Sequence, residues 1–523
     1  MQTLLIYPPF IRLHGIRYRF FPIGLGYLAG ALREAGKSVA VYNAENFGDG
    51  ETLIDRYTYS DNYRLFQAYQ QSLDDPGHYV WTEIEDVIRR YRPDLVGVSV
   101  KSCMVPSSRR ISRIVKRIDP GITVVWGGPH ASIVPDEAIK VPEVDLVVRH
   151  EGERTIVELV GMLESGARDL SSIDGLVWKR DGEIVHNRPR QNVPEVDRIP
   201  FPDKTANLMP ERYEADRFGV MFTSRGCPWP CTFCDSRGVW TRNIRYRTPE
   251  NVIEEMLGLY DGLGVRDFFF WDDTFTPNRK LSMRLFDLMI ETFPKTGRPI
   301  TWQATTRCDC VDDELARKMK QSGCRMLTFG IESGSPSMME ILQKGITHEK
   351  VHHCARVMKK AGIEWEAFFM IGFPDDTPRT IEETMELIRE LDIVTCISIF
   401  TPYPNTELYE RAKHYGLIHE PLEWRYYSHQ SPKNHFVRDL SKEEFQRISA
   451  GCLAEVDRLN ARVYYRNRLR FYMRHPARVP GKVLSVLASA LRRTRRQPAA
   501  VGIGNLPHSQ ARSQARGAKE DVA

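Results

Sequence analysis

Short apolar runs and helical patterns alternate along the first ~165 residues. "TLLIYPP" reads as a strand, followed by "GLGYLAGALREAG", a helix with Leu25, Leu28, Ala29 and Leu32 on one face and Gly36 as its stop. "SVAVYN", "DLVGVSV", "TVVWGG" and "DLVVRHEGE" continue as strands, with helical patterns such as "SSRRISRIVKRI" between them. The strands are apolar throughout rather than alternating, so helices should cover both faces of their sheet. The pattern predicts a doubly wound parallel sheet of the Rossmann-like, flavodoxin-like kind. Ligands of such sheets sit at the strand carboxyl ends. Those ends read "YPPF", "SVKSCM", "WGGPHAS" and "RHEGE". The polar, aromatic stretch 45–78 reads as an insertion.

Residues 166–215 read as a linker. It holds a hairpin, "IDGLVWKRDGEIVHN", turning at Asp181-Gly182, and the proline-broken "RIPFPD". From residue 216 a second alternation begins. Its strands are "GVMFTS", "RDFFFWDD", "TWQATTR", "RMLTFGIES", "WEAFFMIGF" and "CISIFTPYP". Six strand–helix units predict a partial β/α barrel over 216–430, with its reactive face at the strand C-terminal ends. Residues 431–496 read as helical and 497–523 as a disordered tail.

Composition narrows the class. Among 523 residues, 42% are hydrophobic and 27% charged, as in a soluble globular protein. No apolar run reaches membrane-spanning length. The N-terminus reads as a strand rather than a signal peptide. The ten cysteines show no disulfide spacing, so a reducing cytoplasm is the expected compartment. Net charge is +5, but residues 461–523 carry fourteen Lys/Arg against two acids, which leaves residues 1–460 at −7. That distribution argues against a nucleic-acid binder. The basic, aromatic stretch from Tyr464 to Arg496 fits peripheral contact with an anionic membrane, contact with an acidic substrate, or a packed terminal helix with a solvated face.

The chemistry concentrates in "SRGCPWPCTFCDS", where Cys227, Cys231 and Cys234 follow a strand directly. The trio therefore occupies the first βα loop of the barrel. A structural zinc site closes with four ligands, and neither Asp235 nor Cys308 and Cys310 completes a zinc spacing. Three thiolates can instead hold one face of an iron–sulfur cluster and leave one iron open. Cys308 and Cys310 read as alternating on one strand, Arg307 as a salt-bridge residue, and His352 and His353 as surface residues.

The spacing Cys227-x3-Cys231-x2-Cys234, with Phe233 before the last cysteine, resembles the radical S-adenosylmethionine superfamily over about 217–430. The resemblance implies a 4Fe–4S cluster on Cys227, Cys231 and Cys234. It also implies S-adenosylmethionine chelated at the open iron and cleaved to a 5′-deoxyadenosyl radical. It places Phe233 and Gly372 (in "IGFPDDT") near adenine, and Glu332 (in "GIESG") near the ribose. "WDDTF" falls where the family binds the methionine amino group, but Asp272 and Asp273 stand in place of the usual Gly-Gly-Glu. Residues 1–165 resemble the cobalamin-binding domain that precedes the barrel in one large subgroup, through "PIGLGYLAGALREAG", "GGPHAS" and "RHEGE". That likeness assigns cobalamin contacts to Gly127, Gly128 and His130. The Asp-x-His-x-x-Gly motif for a lower histidine ligand is absent.

Together these imply a cobalamin-dependent radical enzyme that methylates an unactivated carbon of a small-molecule or lipid substrate. The electron donor would be a flavodoxin or ferredoxin. A non-methylating oxidative cyclisation or ring rearrangement shares the same cofactor motifs. A cobalamin-binding sensor with an inert barrel is the reading from another class. A methylthiotransferase needs three further cluster cysteines in the first domain, which has only Cys103.

Overall fold

The computed structural model describes residues 1–48, 51, 58–293, 299–429 and 431–474. Residues 1–463 form one compact unit, and the described residues 464–474 fall in a second.

The first sheet has seven strands in the order β2-β1-β3-β4-β5-β6-β7. Strands β1 (Gln2–Tyr7), β2 (Ser38–Asn43), β3 (Leu95–Ser99), β4 (Thr123–Gly127) and β5 (Leu146–Val148) pair in parallel. Their continuous apolar runs are buried from both sides, as the sequence predicts; Leu4, Ile6, Val96, Val124 and Trp126 have no exposed surface. The order with β1 beside both β2 and β3 is the doubly wound arrangement, so loops after β1, β3, β4 and β5 gather at one edge.

Two expectations are corrected here. The hairpin placed in the linker belongs to the first sheet: β6 (Leu176–Arg180) pairs antiparallel with β5, and β7 (Glu183–His186) with β6. Asp181-Gly182 does form its turn, with both residues at positive φ. The insertion at 45–78 contains an amphipathic helix, Asn62–Asp74, that buries Leu65, Phe66, Tyr69 and Leu73. Its residues 49–50 and 52–57 lie outside the described residues, as do 475–496 of the helical region and the tail 497–523.

The second sheet has six strands in the order β15-β14-β13-β12-β11-β8, all parallel. They are β8 (Val220–Met221), β11 (Asp267–Phe270), β12 (Thr301–Thr306), β13 (Cys324–Glu332), β14 (Glu364–Ile371) and β15 (Val394–Ile399). A small antiparallel pair, β9 (Ser224–Arg225) and β10 (Arg245–Tyr246), brackets the cysteine loop. Thr248, Asp312, Thr347, Thr377 and Thr406 each cap a barrel helix by accepting from a backbone N–H of the first turn. Caps of this kind contribute about 1 kcal/mol apiece. The helix Lys442–Arg474 begins within the first unit, where Asn460 bonds the backbone of Thr395 on β15 from both ends of its amide, each at 2.8 Å. Among the described residues, no helix is long and apolar enough to cross a membrane.

Candidate active site

Glycine and main-chain bonds shape the cysteine loop. Gly226 has φ 97°, and a Cβ there would lie 2.8 Å from the carbonyl oxygen of Asn243. Only glycine allows that turn out of β9. Thr232 then staples the loop to the barrel. Its N–H donates to Leu342 O at 3.2 Å, its hydroxyl to Ile341 O at 3.0 Å, and its carbonyl accepts from Leu408 N at 3.1 Å. Cys227, Cys231 and Cys234 all line one cavity of about 390 Å³. Among the described residues, no three His, Cys, Asp or Glu side chains converge tightly enough to hold a single metal ion. A zinc ion draws its thiolates around one centre, whereas a cube gives each thiolate its own iron. The three thiols line one cavity, as the ligands of a single cube would. Burial raises the Cys231 pKa and pushes that of Cys234 up to about 12. A bound cluster would supply the positive charge that favours the thiolates.

Around this loop stand the other residues singled out from sequence. Glu332 closes β13 at a register shift and has φ 75°, an unusual conformation for a side chain of its size. Its carboxylate accepts from Lys344 Nζ at 2.5 Å, with both side chains largely buried. Gly330 permits this close pairing, since a Cβ there would meet Glu332 Oε1 at 2.4 Å and Lys344 Nζ at 2.6 Å. Lys344 Nζ also lies 5.7 Å from the Phe233 ring centre, and that ring lies 6.3 Å from Phe373. Gly372, with φ 91°, donates its N–H to Asp376 at 2.8 Å.

The two aspartates of "WDDTF" part ways. Asp272 is consumed by the barrel wall, accepting from the Thr223 hydroxyl at 2.8 Å and the Ser224 hydroxyl at 2.6 Å. Asp273 accepts from Ser236, two residues beyond Cys234, at 2.6 Å. Thr274 places its hydroxyl 3.9 Å from the Cys227 sulfur. Arg307 forms a two-pronged pair with Asp309 and lies 4.3 Å from the Trp229 ring centre. Cys308 and Cys310 do not alternate on a strand; they form a 3-10 turn after β12.

A second cavity lies at the ends of β1, β3, β4 and β5. Tyr7, Ser99, Lys101, Gly127, Gly128 and His150 line it from the first sheet, and Phe222, Arg225, Trp240 and Trp271 from the barrel. Its inner part is apolar, walled by Leu5, Leu25, Leu28, Val98, Val125 and Val148. Gly97 lets the Leu5 side chain pack closely against β3, because a Cβ there would lie 2.8 Å from Leu5 Cδ2. Glycines at the strand ends, a deep apolar slot and a polar mouth fit a broad ligand with an inserted tail, as a corrinoid is. His130 is not in the lining. Its Nδ1 is 3.2 Å from the Ser102 hydroxyl, and its ring meets Trp424 edge-on at 4.6 Å.

The cavity and the cysteine loop share a wall. Arg225, two residues before Cys227, bonds Glu151 at 2.8 Å and Glu153 at 2.6 Å. Arg245 bonds Glu151 at 2.7 Å. Burial alone would raise the Glu151 pKa, but Arg245 and Arg225 outweigh it and hold the carboxyl below its usual range. The Arg225 guanidinium also lies 4.8 Å from the Tyr27 ring centre.

Two buried histidines set an acid limit on the first domain. Burial lowers the pKa of His14 to about 4 and that of His130 to about 3. The unfolded chain takes up these protons near pH 6.5, so each histidine supports the fold above that pH and loses its contribution as pH falls. Between pH 7 and 5 the loss is about 2 kcal/mol per histidine. Asp272 and Asp376, raised by burial to about 6, shift stability the opposite way over this range. A single variant isolates the histidine: urea unfolding of His130→Gln should fall less between pH 7 and 5 than that of the parent, by about 2 kcal/mol. Equal pH slopes would contradict a neutral buried His130.

A parallel α/β sheet joined through a shared wall to a partial barrel with an open three-thiolate loop defines a two-cofactor radical enzyme. The family models agree, matching the radical SAM superfamily over residues 221–388 and the B12 binding domain over 65–160. An uncharacterized methyltransferase of Pyrococcus horikoshii is 35% identical over 412 residues, which is 78% of this chain and 81% of that protein. An anaerobic magnesium-protoporphyrin IX monomethyl ester cyclase of Rubrivivax gelatinosus is 26% identical, covering 63% of this chain and 60% of its own. The radical S-adenosylmethionine methyltransferase TsrM of Kitasatospora setae, solved with cobalamin and a 4Fe–4S cluster, shares the fold. Its TM-score is 0.62 at 20% identity, covering 80% of this chain and 76% of that one. The chain belongs to the radical S-adenosylmethionine superfamily, in the branch with a cobalamin-binding domain ahead of the barrel, and it is an enzyme of that class.

Sequence reasoning passed over Lys344, and it quoted Arg225, Trp271 and Thr274 within their motifs without giving them a role. No local pattern marks Lys344; only the fold brings it back to Glu332.

Proposed function

We propose that this enzyme methylates an unactivated carbon of a small-molecule or lipid substrate, with residues 1–165 holding the corrinoid and 216–430 the cluster and S-adenosylmethionine. The observation that carries the reading is the shared wall: Arg225 runs straight into the cysteine loop while pairing with Glu151 and Glu153 of the corrinoid cavity. When bound, the cluster with S-adenosylmethionine supplies a carbon-centred radical, and the corrinoid supplies a methyl group. Cys227, Cys231 and Cys234 would hold the cluster. Glu332, oriented by Lys344, would bind ribose hydroxyls, and Phe233 with the Gly372 turn would pack near adenine. Asp273 would be the carboxylate left to bind the amino group, because Asp272 is spent on Thr223 and Ser224. Phe222, Trp240 and Trp271 would keep water from the space between the cofactors.

Turnover with methyl-labelled S-adenosylmethionine tests the proposal. Label appears in a product other than methionine and the corrinoid itself, and both 5′-deoxyadenosine and S-adenosylhomocysteine accumulate with it. Deoxyadenosine with label confined to methionine would instead favour the cyclase-type reaction, whose named example is among the relatives.

A further inference from the structure

The helix Val105–Ile118 carries Arg109, Arg110, Arg113 and Arg117. Arg109, Arg113 and Arg117 recur every four residues and therefore form one stripe along the helix. The stripe walls a groove of about 870 Å³, closed on its other sides by the helix Tyr79–Tyr91 and the segment Leu422–Tyr426. That volume is in the range of small-molecule sites. Trp81, Trp424 and Tyr426 face the groove with the arginines.

The charge in the groove is poorly balanced. Arg109 is exposed and has neither a hydrogen bond nor an ion pair among the described residues. Arg110 reaches only carbonyl oxygens, those of Leu73 and, at 2.9 Å, of Asp75, and its guanidinium lies 4.6 Å from the Trp81 ring centre. Burial, with Arg117 and Arg113 nearby, lowers its pKa. Arg113 pairs with Glu143 at 3.3 Å and Arg117 with Glu85 at 2.5 Å, both from arginines more than half exposed. Exposed pairs of this kind contribute little. On the opposite wall Arg425 is taken by Asp74 at 2.5 Å. Arg113, Arg117 and Arg425 thus each have a carboxylate partner, while Arg109 and Arg110 have none among the described residues. These two guanidiniums sit on a body that is acidic overall. Guanidinium forks match phosphate oxygens two at a time, and of the three aromatic residues only Tyr426 is partly exposed beside them.

We propose that this groove binds a phosphate-bearing small molecule of nucleotide size, with Arg109, Arg110 and Arg113 holding the phosphates. The groove also touches the first domain's strand ends, because Trp424 packs on His130, two residues beyond Gly128 of the corrinoid cavity.

Calorimetric titration of the cofactor-loaded enzyme with metal-free ATP, and separately with inorganic tripolyphosphate, tests this. Saturable binding of one ATP per chain is expected. Arg109→Glu and Arg113→Glu should each weaken it about tenfold or more, as loss of a charge-assisted contact does. Both side chains are exposed, so circular dichroism should report an unchanged fold. Tripolyphosphate binding as tightly as ATP assigns recognition to the phosphates alone, whereas a tighter ATP adds Tyr426. No saturation by either anion at millimolar concentration overturns the proposal, as does an affinity that neither variant changes.

Discussion

Cys231→Ala should leave the protein without iron and end S-adenosylmethionine cleavage, a loss of roughly 10³-fold or more, while cobalamin still binds. The two halves of that result have separate causes. A cube held by three thiolates loses a third of its protein ligands with one substitution. The corrinoid cavity contains none of the three cysteines in its lining. Iron, sulfide and corrinoid measured after anaerobic reconstitution read both halves at once. Retention of full iron by Cys231→Ala would place the cluster elsewhere. Loss of corrinoid along with iron would mean that the first domain depends on the cluster loop for its shape.

Arg225→Met should cost about 3–5 kcal/mol of stability, because it strands the buried carboxylates of Glu151 and Glu153. Arg225 and Glu151 expose only about 4% of their side chains, so water offers little compensation. Arg245 still reaches Glu151, but Glu153 has no other ion pair among the described residues. Urea unfolding with and without cobalamin measures the cost. The double variant Arg225→Met, Glu153→Gln, which keeps the Arg245–Glu151 pair, should recover much of it, since a neutral group is cheaper to bury than an unpaired charge. If the single and double variants are equally destabilised, packing of Arg225 on Tyr27 carries the energy instead of charge.

Local pattern revealed most of the scaffold and part of the site. Buried parallel strands such as "DLVGVSV" and "WEAFFMIGF" announce themselves, because a strand covered on both faces must be apolar throughout. The hairpin at Asp181-Gly182 was equally legible as a hairpin. Its place beside β5 was not, because strand pairing across the sheet leaves no mark in the turn. The helix Asn62–Asp74 escaped for a related reason: its four buried side chains are spaced among polar residues that only packing distinguishes. At the candidate site, the cysteine trio was legible as a group because its three members fall within eight residues, and the structure gives them one cavity. Lys344, by contrast, reaches Glu332 across twelve residues and a helix. His130 shows the converse, since its motif places it at the right turn while its rotamer sends the ring toward Trp424.

The wall between cavity and cysteine loop also bears on how the protein is built. The ribosome delivers Glu151 and Glu153 before Arg225 and the cysteines behind it, and domains generally fold in the order of synthesis. In that order Arg225 would meet carboxylates already carried by the first sheet. The loop that receives iron and sulfide is shaped against an older surface, so damage to the first domain would reappear as a failure of cluster insertion in a barrel whose own sequence is intact.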